Sequence, residues 1–204
     1  MMRAEMFDSI EKVVYINLDE RKDRNTHVQR ELAQVFPADK VVRFPAIYAE
    51  HGGIGCTKSH IAVLEMAKAN GWANVMVVED DFTWINFDKA APVLTELLKK
   101  PCDALVLGAI DITCDEATMR LTSCQTTTCY MVRAHYYDTL LANYREGLHL
   151  FQETGDYGTY ALDQHWKKAL AADTWYIVRP SIAAQRPSYS DIDKRVVNHM
   201  RHFK

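Results

Sequence analysis

The first half of the chain alternates short apolar runs with segments of helical periodicity, and this alternation restricts the folds it can adopt. The apolar runs, rich in Val and Ile, predict buried strands at residues 12–18, 40–47, 74–81 and 103–109. Helical spacing of apolar residues predicts helices within 25–36, 51–71 and 88–100. Strands separated by helices form a mainly parallel sheet that is covered on both faces. The sequence therefore predicts an α/β, Rossmann-like fold: a mixed, mostly parallel sheet with helices on both faces.

The second half continues with fewer strong signals. Strand-like runs occupy residues 124–134 and 174–180. Helices are predicted from residue 135 to about 148 and within 155–172, and the tail from Ser181 is predicted to be irregular.

Length and charge limit the class of protein. With 204 residues the chain is expected to form a single domain, residues 1–204. A net charge of −3 argues against nucleic acid or an anionic membrane as the main partner. The sequence contains no apolar run long enough to span a bilayer and no signal-peptide pattern, so a cytoplasmic location is expected. The five cysteines include no CxxC pair, which indicates reduced thiols.

Three consecutive acids, Glu79, Asp80 and Asp81, follow the apolar run "VMVV" directly. Adjacent carboxylates repel one another, and their burial is costly unless a positive charge neutralises them. On a strand, Glu79 and Asp81 share one face, and Asp80 points away unless the chain turns. The pattern indicates a hard divalent cation that is held by one or two carboxylates and by substrate phosphates. The alternative is a solvated acidic turn.

Two arginines, Arg21 and Arg24, follow the first predicted strand. Ligands of parallel α/β sheets bind at the carboxyl ends of the strands, which is where these arginines and the acids are expected to lie. Guanidinium groups at that position suit a pyrophosphate. The alternative is a solvated helix surface with Asp19, Glu20 and Asp23 as partners.

The segment "GGIGCTKSH", residues 52–60, predicts a glycine loop followed by a helix. Thr57 or Ser59 is expected to cap that helix, and its free N–H groups favour an anion. His60 is then expected on the first turn, as a site residue or as a packed histidine.

Taken together, these segments resemble glycosyltransferase family 25, the lipopolysaccharide and collagen-type glycosyltransferases. The segments "VVYINLDERKDR", "GIGCTKSH" and "VMVVEDDF" match the family's opening strand with its RxDR turn, its GxxGCxxSH segment and its EDD-ended strand. Weaker matches are "TTTCYMV" and "PSIAAQRPSYSDI", which ends in the family's SDI. The resemblance spans residues 12–192.

The resemblance implies a GT-A fold, a UDP-sugar donor, a divalent metal such as Mn²⁺ (or Mg²⁺) and inversion at the anomeric carbon. It implies a nucleotide-sugar half at about 10–110, an acceptor-side half at about 111–192 and a tail at 193–204. It assigns Glu79 and Asp81 to the metal. The residues expected to contact the donor are Ile16, Asn17, Leu18, Arg21, Arg24, Gly55, Ser59, His60, Glu79 and Asp80.

Inversion requires a base that takes the proton of the acceptor hydroxyl. Asp163 and His165 are the predicted catalytic residues, with Asp163 preferred as base or sugar-hydroxyl ligand; Asp156 is a further candidate. The alternative for Asp163 is a surface pair with Lys167. A late histidine is expected to complete the metal site, with His199 chosen here and His165 and His202 left open. Tyr157, Tyr160 and Trp166 are expected either to stack on a sugar or to pack in the core.

The predicted function is that of a metal-dependent inverting glycosyltransferase that moves a hexose from a UDP-sugar to a glycan hydroxyl, in lipopolysaccharide, capsule or viral glycan assembly. The alternatives are a non-catalytic sugar-nucleotide or glycan-binding module and a Mg²⁺-dependent nucleotidyltransferase or phosphohydrolase. The sequence leaves the donor sugar, the acceptor, the linkage and the oligomeric state open.

Overall fold

A computed structural model describes residues 3–190, 192 and 194–203 of the chain. Asp191, the acid of the SDI ending that contributed to the family resemblance, lies outside the described residues.

Ten strands and eight α-helices make up the described part of the chain. The strands are β1 (Lys12–Asn17), β2 (Val41–Pro45), β3 (Asn74–Glu79), β4 (Phe82–Trp84), β5 (Ala104–Asp115), β6 (Arg120–Arg133), β7 (Trp175–Ile177), β8 (Ala183–Gln185), β9 (Ser188–Ser190) and β10 (Arg195–Val197). The helices are α1 (Arg3–Met6), α2 (Lys22–Leu32), α3 (Gly52–Ala69), α4 (Phe87–Lys99), α5 (Tyr137–Thr154), α6 (Tyr157–Tyr160), α7 (Leu162–His165) and α8 (Lys167–Ala172). Short 3₁₀ turns occupy Ala38–Lys40, Ala134–Tyr136 and Met200–His202.

Six strands form the central sheet, in the order β2-β1-β3-β6-β5-β7. β1 runs parallel to both β2 and β3, and β5 runs parallel to β7. β6 runs antiparallel to its neighbours β3 and β5. The predicted fold class, a mixed and mostly parallel α/β sheet, is confirmed. Because Ile16 is in register with Glu79, the carboxyl ends of β1 and β3 lie side by side.

Side chains of the inner strands alternate between two apolar cores, one on each face of the sheet. Val14 and Val77 pack into one core with residues of α3 and α5, and Val13 and Met76 pack into the other with residues of α2 and α4. This alternation follows from the two-residue period of a strand that is buried on both faces. The predicted cover of helices on both faces is therefore present.

The predicted glycine loop before α3 is wrong, because the glycines form the first turn of the helix itself. The cap is His51, whose ring Nδ1 accepts a hydrogen bond from the Gly53 N–H. Thr57 and Ser59 are not caps, since their hydroxyls donate to carbonyls one turn earlier in the helix. A Cβ on Gly55 would lie 2.5 Å from the Ile47 carbonyl oxygen. These glycines therefore serve the close approach of a neighbouring segment rather than a turn.

Two predictions for the second half also need correction. The predicted helix at 155–172 is divided into α6, α7 and α8; at Ala161, with φ −54° and ψ 152°, the backbone leaves the helical region between α6 and α7. The tail is not irregular: β8 pairs with β4, and β9 pairs with β10. The pairing of β8 with β4 joins segments about 100 residues apart, which local sequence patterns do not reveal.

All five cysteines are free thiols, as predicted. In the described part of the chain, no helix combines the length and the apolar character that crossing a membrane requires.

Gly108 on β5 allows β8 to approach the central sheet. A Cβ at this position would lie 2.0 Å from the Ala183 carbonyl oxygen, a contact that only backbone movement can relieve. β8 ends in Gln185, so the position of that side chain depends on this approach.

We predict that Gly108→Ala destabilises the protein by about 3 kcal/mol or more, because an overpacked backbone contact must open. The matched control is Gly158→Ala, where the nearest atom lies at 3.4 Å and a change of no more than about 1 kcal/mol is expected. Urea unfolding of the three proteins measures both values. Equal stability of Gly108→Ala and the parent would show that β8 does not pack as described.

Candidate active site

A cavity of about 420 Å³ opens at the carboxyl ends of β1 and β3. Its wall combines residues of both predicted halves and of the tail. The predicted site residues found in this wall are Ile16, Leu18, Arg24, Gly55, Ser59, His60, Glu79, Asp80, Asp81, Asp163 and His199. Most of the residues that the sequence singled out are thus brought to one place by the fold.

The three acids do not alternate as residues of a strand would. β3 ends at Glu79 and the chain turns through Asp80 and Asp81, so both aspartates contact the same guanidinium. The chain turns here, which is the exception that the sequence prediction named, so Asp80 lines the cavity together with Glu79 and Asp81.

Arg24 supplies the positive charge that the acids require. Its guanidinium lies 2.8 Å from Asp80 Oδ1 and 3.3 Å from Asp81 Oδ2. The other end of the group donates to the Ser188 hydroxyl and to the Tyr189 carbonyl oxygen, both at 2.7 Å. Arg24 is only 9% exposed. Its two terminal nitrogens are therefore engaged with the acids and with the C-terminal segment. The predicted contact of Arg24 with a pyrophosphate stays a prediction.

Asp81 is the least satisfied of the three acids. It is 8% exposed, and its Oδ1 has no hydrogen-bond partner among the described residues. Burial raises the pKa of Asp81 from 3.8 to about 7; Arg24 opposes this rise, and the charges of Glu79 and Asp80 add to it. An unpartnered carboxylate oxygen at the wall of a cavity is available to a ligand.

Glu79 and Asp80 are held by several donors. Glu79 Oε1 accepts from the Thr127 hydroxyl at 2.6 Å, and Oε2 accepts from the Gln185 amide at 2.9 Å. Burial acts to raise the pKa of Glu79, but His60, Thr127 and Gln185 together lower it below its usual value. For Asp80, burial outweighs Arg24 and the Asn17 amide, so its pKa is raised. Glu79 is thus the acid that the site keeps most firmly ionised.

His60 lies in the third turn of α3, not in the first as predicted, because the helix begins at Gly52. Its ring is 1% exposed, and Nδ1 lies 2.7 Å from the Tyr130 hydroxyl. Its Nε2 has no hydrogen-bond partner among the described residues and lies 3.8 Å from Glu79 Oε1. His60 is therefore a packed histidine on one side and a site residue on the other.

The two predicted catalytic residues are separated by the structure. Asp163 lines the cavity, where its Oδ2 accepts a hydrogen bond from the Thr126 N–H at 2.9 Å, and burial raises its pKa. The surface pair with Lys167 does not form, because that ammonium group donates to Gln164. In the described part of the chain, His165 stands outside the cavity wall: it packs against Gly147 and its Nε2 lies 2.9 Å from Glu146.

Among the described residues, two of the predicted donor-binding residues lie behind the cavity wall and do not line it. Asn17 donates to Asp80 Oδ2 at 2.7 Å and accepts from Arg43, so it positions an acid. Arg21 pairs with Asp23 and donates to the Tyr189 carbonyl oxygen. Both support the site from outside the cavity.

The aromatic residues divide between wall and core. Tyr157 lines the cavity, whereas Trp166 is fully buried and donates to the Cys124 carbonyl oxygen. Sequence reasoning missed Tyr48, which is 74% exposed in the wall, and Lys194 of the tail. The only sequence signal for Gln185 was its place in the weak match "PSIAAQRPSYSDI".

The predicted metal set of Glu79, Asp81 and His199 is not assembled. Among the described residues, one group of three potential ligands of the types His, Cys, Asp or Glu has its ligand atoms within 4.8 Å of one another. This group consists of Cys56, His60 and Glu79. His199 lines the same cavity from the tail without joining that group.

No protein-family model and no curated protein matches the sequence. Among solved structures, a glycosyltransferase involved in the glycosylation of the major capsid of PBCV-1 superimposes with a TM-score of 0.51 at 8% identity, over 83% of this chain and 81% of that one. Mannose-1-phosphate geranyltransferase from Thermus thermophilus gives 0.49 at 10% identity, over 83% and 73%. The apo-form glycosyltransferase GlyE of Streptococcus pneumoniae gives 0.49 at 8% identity, over 83% and 45%. The likeness to the capsid glycosyltransferase shows that this chain has a GT-A-like fold.

The raised pKa of Asp81 predicts a pH dependence of stability. Between about pH 4 and pH 7 the folded protein keeps a proton on Asp81 that the unfolded chain has released. The contribution of Asp81 to the free energy of unfolding is therefore fully present below about pH 4 and is lost as the pH rises through about 7. Asp81→Asn removes this loss, so the variant gains stability relative to the parent as the pH rises from 5 to 8.

Urea unfolding at several pH values, with a chelator present, measures this difference. Asp23→Asn is the control, because the hydrogen bond from Arg21 lowers the pKa of Asp23 to about 2 and its titration ends below this range. Parallel profiles of Asp81→Asn and the parent between pH 5 and 8 would contradict the assignment.

Proposed function

We propose that this protein is a divalent-metal-dependent, inverting glycosyltransferase of the family 25 type, which moves a hexose from a UDP-sugar to a hydroxyl of a glycan. The observation that carries the proposal is the cavity itself. Among the described residues, five acids line it, Glu20, Glu79, Asp80, Asp81 and Asp163, and the guanidinium of Arg24 contacts two of them, Asp80 and Asp81. The excess of negative charge at the carboxyl ends of β1 and β3 favours a cation that arrives with a phosphorylated donor.

The residues present fit Mn²⁺ or Mg²⁺. Asp81 offers a buried oxygen without a partner, and Glu79 and Asp80 lie beside it in the chain. Hard cations bind through one or two carboxylates and complete their coordination with substrate phosphates and water, so a preassembled set of three protein ligands is not required. When bound, such an ion stabilises the charge that develops on the departing diphosphate.

The donor has two further supports in this cavity. Ile16 and Leu18 bring the carboxyl end of β1 to the wall, where a nucleoside would lie. Lys194 contributes an ammonium group to the same wall, and we assign to it the contact with the diphosphate that the sequence had given to Arg21 and Arg24.

Asp163 is the base in this proposal. It lies on α7, in the half of the chain expected to bind the acceptor, and the Thr126 N–H fixes one of its oxygens. Burial raises its pKa, which strengthens it as a proton acceptor. Tyr48 and Tyr157 present aromatic surface at the same wall, which suits the apolar face of a sugar acceptor.

A thermal-shift titration with Mn²⁺ and a panel of UDP, GDP and CMP sugars tests the donor. We expect a rise in melting temperature that requires both Mn²⁺ and a uridine nucleotide, because a ligand that binds only the folded state stabilises it. Asp81→Asn loses this rise, and Asp138→Asn, a change on the exposed outer face of α5, keeps it. A rise that needs no metal, or one that Asp81→Asn retains, contradicts the metal assignment.

Turnover assays with the same sugar nucleotides, and with nucleoside triphosphates in addition, separate the alternative functions. Release of UDP from a UDP-sugar supports a glycosyltransferase, and release of pyrophosphate from a nucleoside triphosphate indicates a nucleotidyltransferase. Tight binding without any turnover indicates a binding module.

For the base, we predict that Asp163→Asn lowers kcat for transfer by at least about 100-fold, because proton removal from the acceptor is lost. The Mn²⁺- and UDP-dependent thermal shift is retained, since donor binding does not use this group. Steady-state kinetics of donor consumption provide the measurement. A variant with normal kcat would assign the proton transfer to another residue.

A further inference from the structure

Cys56, His60 and Glu79 form a second kind of metal environment in the same cavity. Their ligand atoms, one sulfur, one ring nitrogen and one carboxylate oxygen, all lie within 4.8 Å of one another. Cys56 and His60 are one helical turn apart on α3, so both side chains project from the same face of the helix toward the end of β3. This set differs in chemistry from the all-oxygen aspartates beside it.

The distance between the nitrogen and the carboxylate oxygen is close to that around a bound ion, and the sulfur lies within 4.8 Å of both. In a tetrahedral zinc site, neighbouring ligand atoms lie roughly 3.3–3.6 Å apart, given zinc bonds of about 2.0–2.3 Å. His60 Nε2 and Glu79 Oε1 are 3.8 Å apart. A contraction of about 0.5 Å at this pair brings both atoms into coordination range, which small side-chain rotations supply.

An unpartnered atom points to a ligand here independently of the clustering. His60 is 1% exposed, yet its Nε2 has no hydrogen-bond partner among the described residues. A buried ring nitrogen without a partner is costly unless a ligand satisfies it. The other ring nitrogen, Nδ1, lies 2.7 Å from the Tyr130 hydroxyl. In the neutral ring, when Nδ1 donates its hydrogen to that oxygen, Nε2 keeps the lone pair that a metal needs. In the charged ring, which lowers the pKa of Glu79 from 3.8 Å away, both nitrogens carry a hydrogen and the metal displaces the one on Nε2.

The carboxylate is also oriented from behind. Thr127 and Gln185 each donate to one oxygen of Glu79 and fix its plane. Both lie in the cavity wall with the three ligands, so an ion has a path from solvent and a fourth position open to water. Three protein ligands and an open fourth position are a common zinc arrangement.

We propose that Cys56, His60 and Glu79 bind a borderline-soft divalent ion, with Zn²⁺ as the reference, and that this ion competes with the hard metal by taking Glu79. Burial and the charge of Glu79 raise the pKa of the Cys56 thiol, so the free protein holds the thiol form. On binding the ion, Cys56 becomes the thiolate and its proton passes to solvent. Oxygen-preferring ions such as Mg²⁺ do not favour a sulfur and nitrogen set, so the two ions are sorted by ligand chemistry. The competition, though not the binding, rests on the proposed transferase function.

Cobalt titration of metal-free protein tests the binding without any substrate. Co²⁺ takes the same ligands as Zn²⁺, and a thiolate bound to it gives a charge-transfer absorption band in the near ultraviolet. We expect this band at one equivalent in the parent and in Cys114→Ser, a matched change at a partly exposed free thiol outside the cavity wall of the described residues. Cys56→Ser abolishes the band. Absence of the band in the parent, or its persistence in Cys56→Ser, overturns the proposal.

A second measurement needs no variant. Alkylation of the native protein with iodoacetamide, mapped by peptide mass spectrometry, reports each cysteine separately. We expect Zn²⁺ to slow modification of Cys56 by at least about 10-fold, with no effect at Cys114 and no effect of Mg²⁺. Equal protection of both thiols would show adventitious zinc binding and reject the site. Because neither readout uses catalysis, failure of this site leaves the proposed transferase function standing, and the reverse also holds.

Discussion

The contact between the Arg24 guanidinium and the two aspartates at the end of β3 is the interaction on which this site depends. Asp80 and Asp81 are buried at a strand terminus, where unpaired carboxylates are strongly disfavoured. Arg24 neutralises part of this charge and at the same time holds Ser188 and the Tyr189 carbonyl oxygen of the C-terminal segment. The Arg24 side chain thus connects α2, the two aspartates at the end of β3 and the segment Ser188–Tyr189.

Arg24 neutralises only part of the negative charge of Glu79, Asp80 and Asp81. The Arg24 guanidinium lies 2.8 Å from Asp80 Oδ1 and 3.3 Å from Asp81 Oδ2. The other Asp81 oxygen, Oδ1, has no hydrogen-bond partner among the described residues. Burial raises the pKa of Asp81 to about 7, because its effect is larger than the lowering of the pKa by the Arg24 guanidinium. In physical terms, the resting site retains an affinity for a further cation, which a donor diphosphate and its metal would satisfy together.

The features of the fold that could be predicted from the sequence are those that produce a local periodicity of apolar residues. Runs such as "VVYIN" and "VMVVE" are buried on both faces, and the sequence predicts them as strands of one mainly parallel sheet with ligands at their carboxyl ends. That β1 and β3 are neighbours is seen only in the structure. Asp163 was a candidate from the sequence beside the alternative of a surface pair with Lys167, and the structure places it in the cavity wall. The roles of Arg24 and His165 were missed, because they depend on Ser188 and Glu146, partners far away in the chain. The glycines before Cys56 were misread for a similar reason, since Gly53 accommodates the ring of Tyr157 and Gly55 accommodates the Ile47 carbonyl oxygen, and neither contact is visible in local sequence.

The most direct test of the central claim is a crystal structure of the protein with Mn²⁺ and UDP, in which anomalous scattering locates the metal. The account predicts one manganese peak in the cavity, roughly 2 Å from the Asp81 oxygen that lacks a partner here, with the UDP diphosphate completing its coordination. A structure with UDP bound elsewhere, or with that aspartate still facing only Arg24 and no metal beside it, would contradict it.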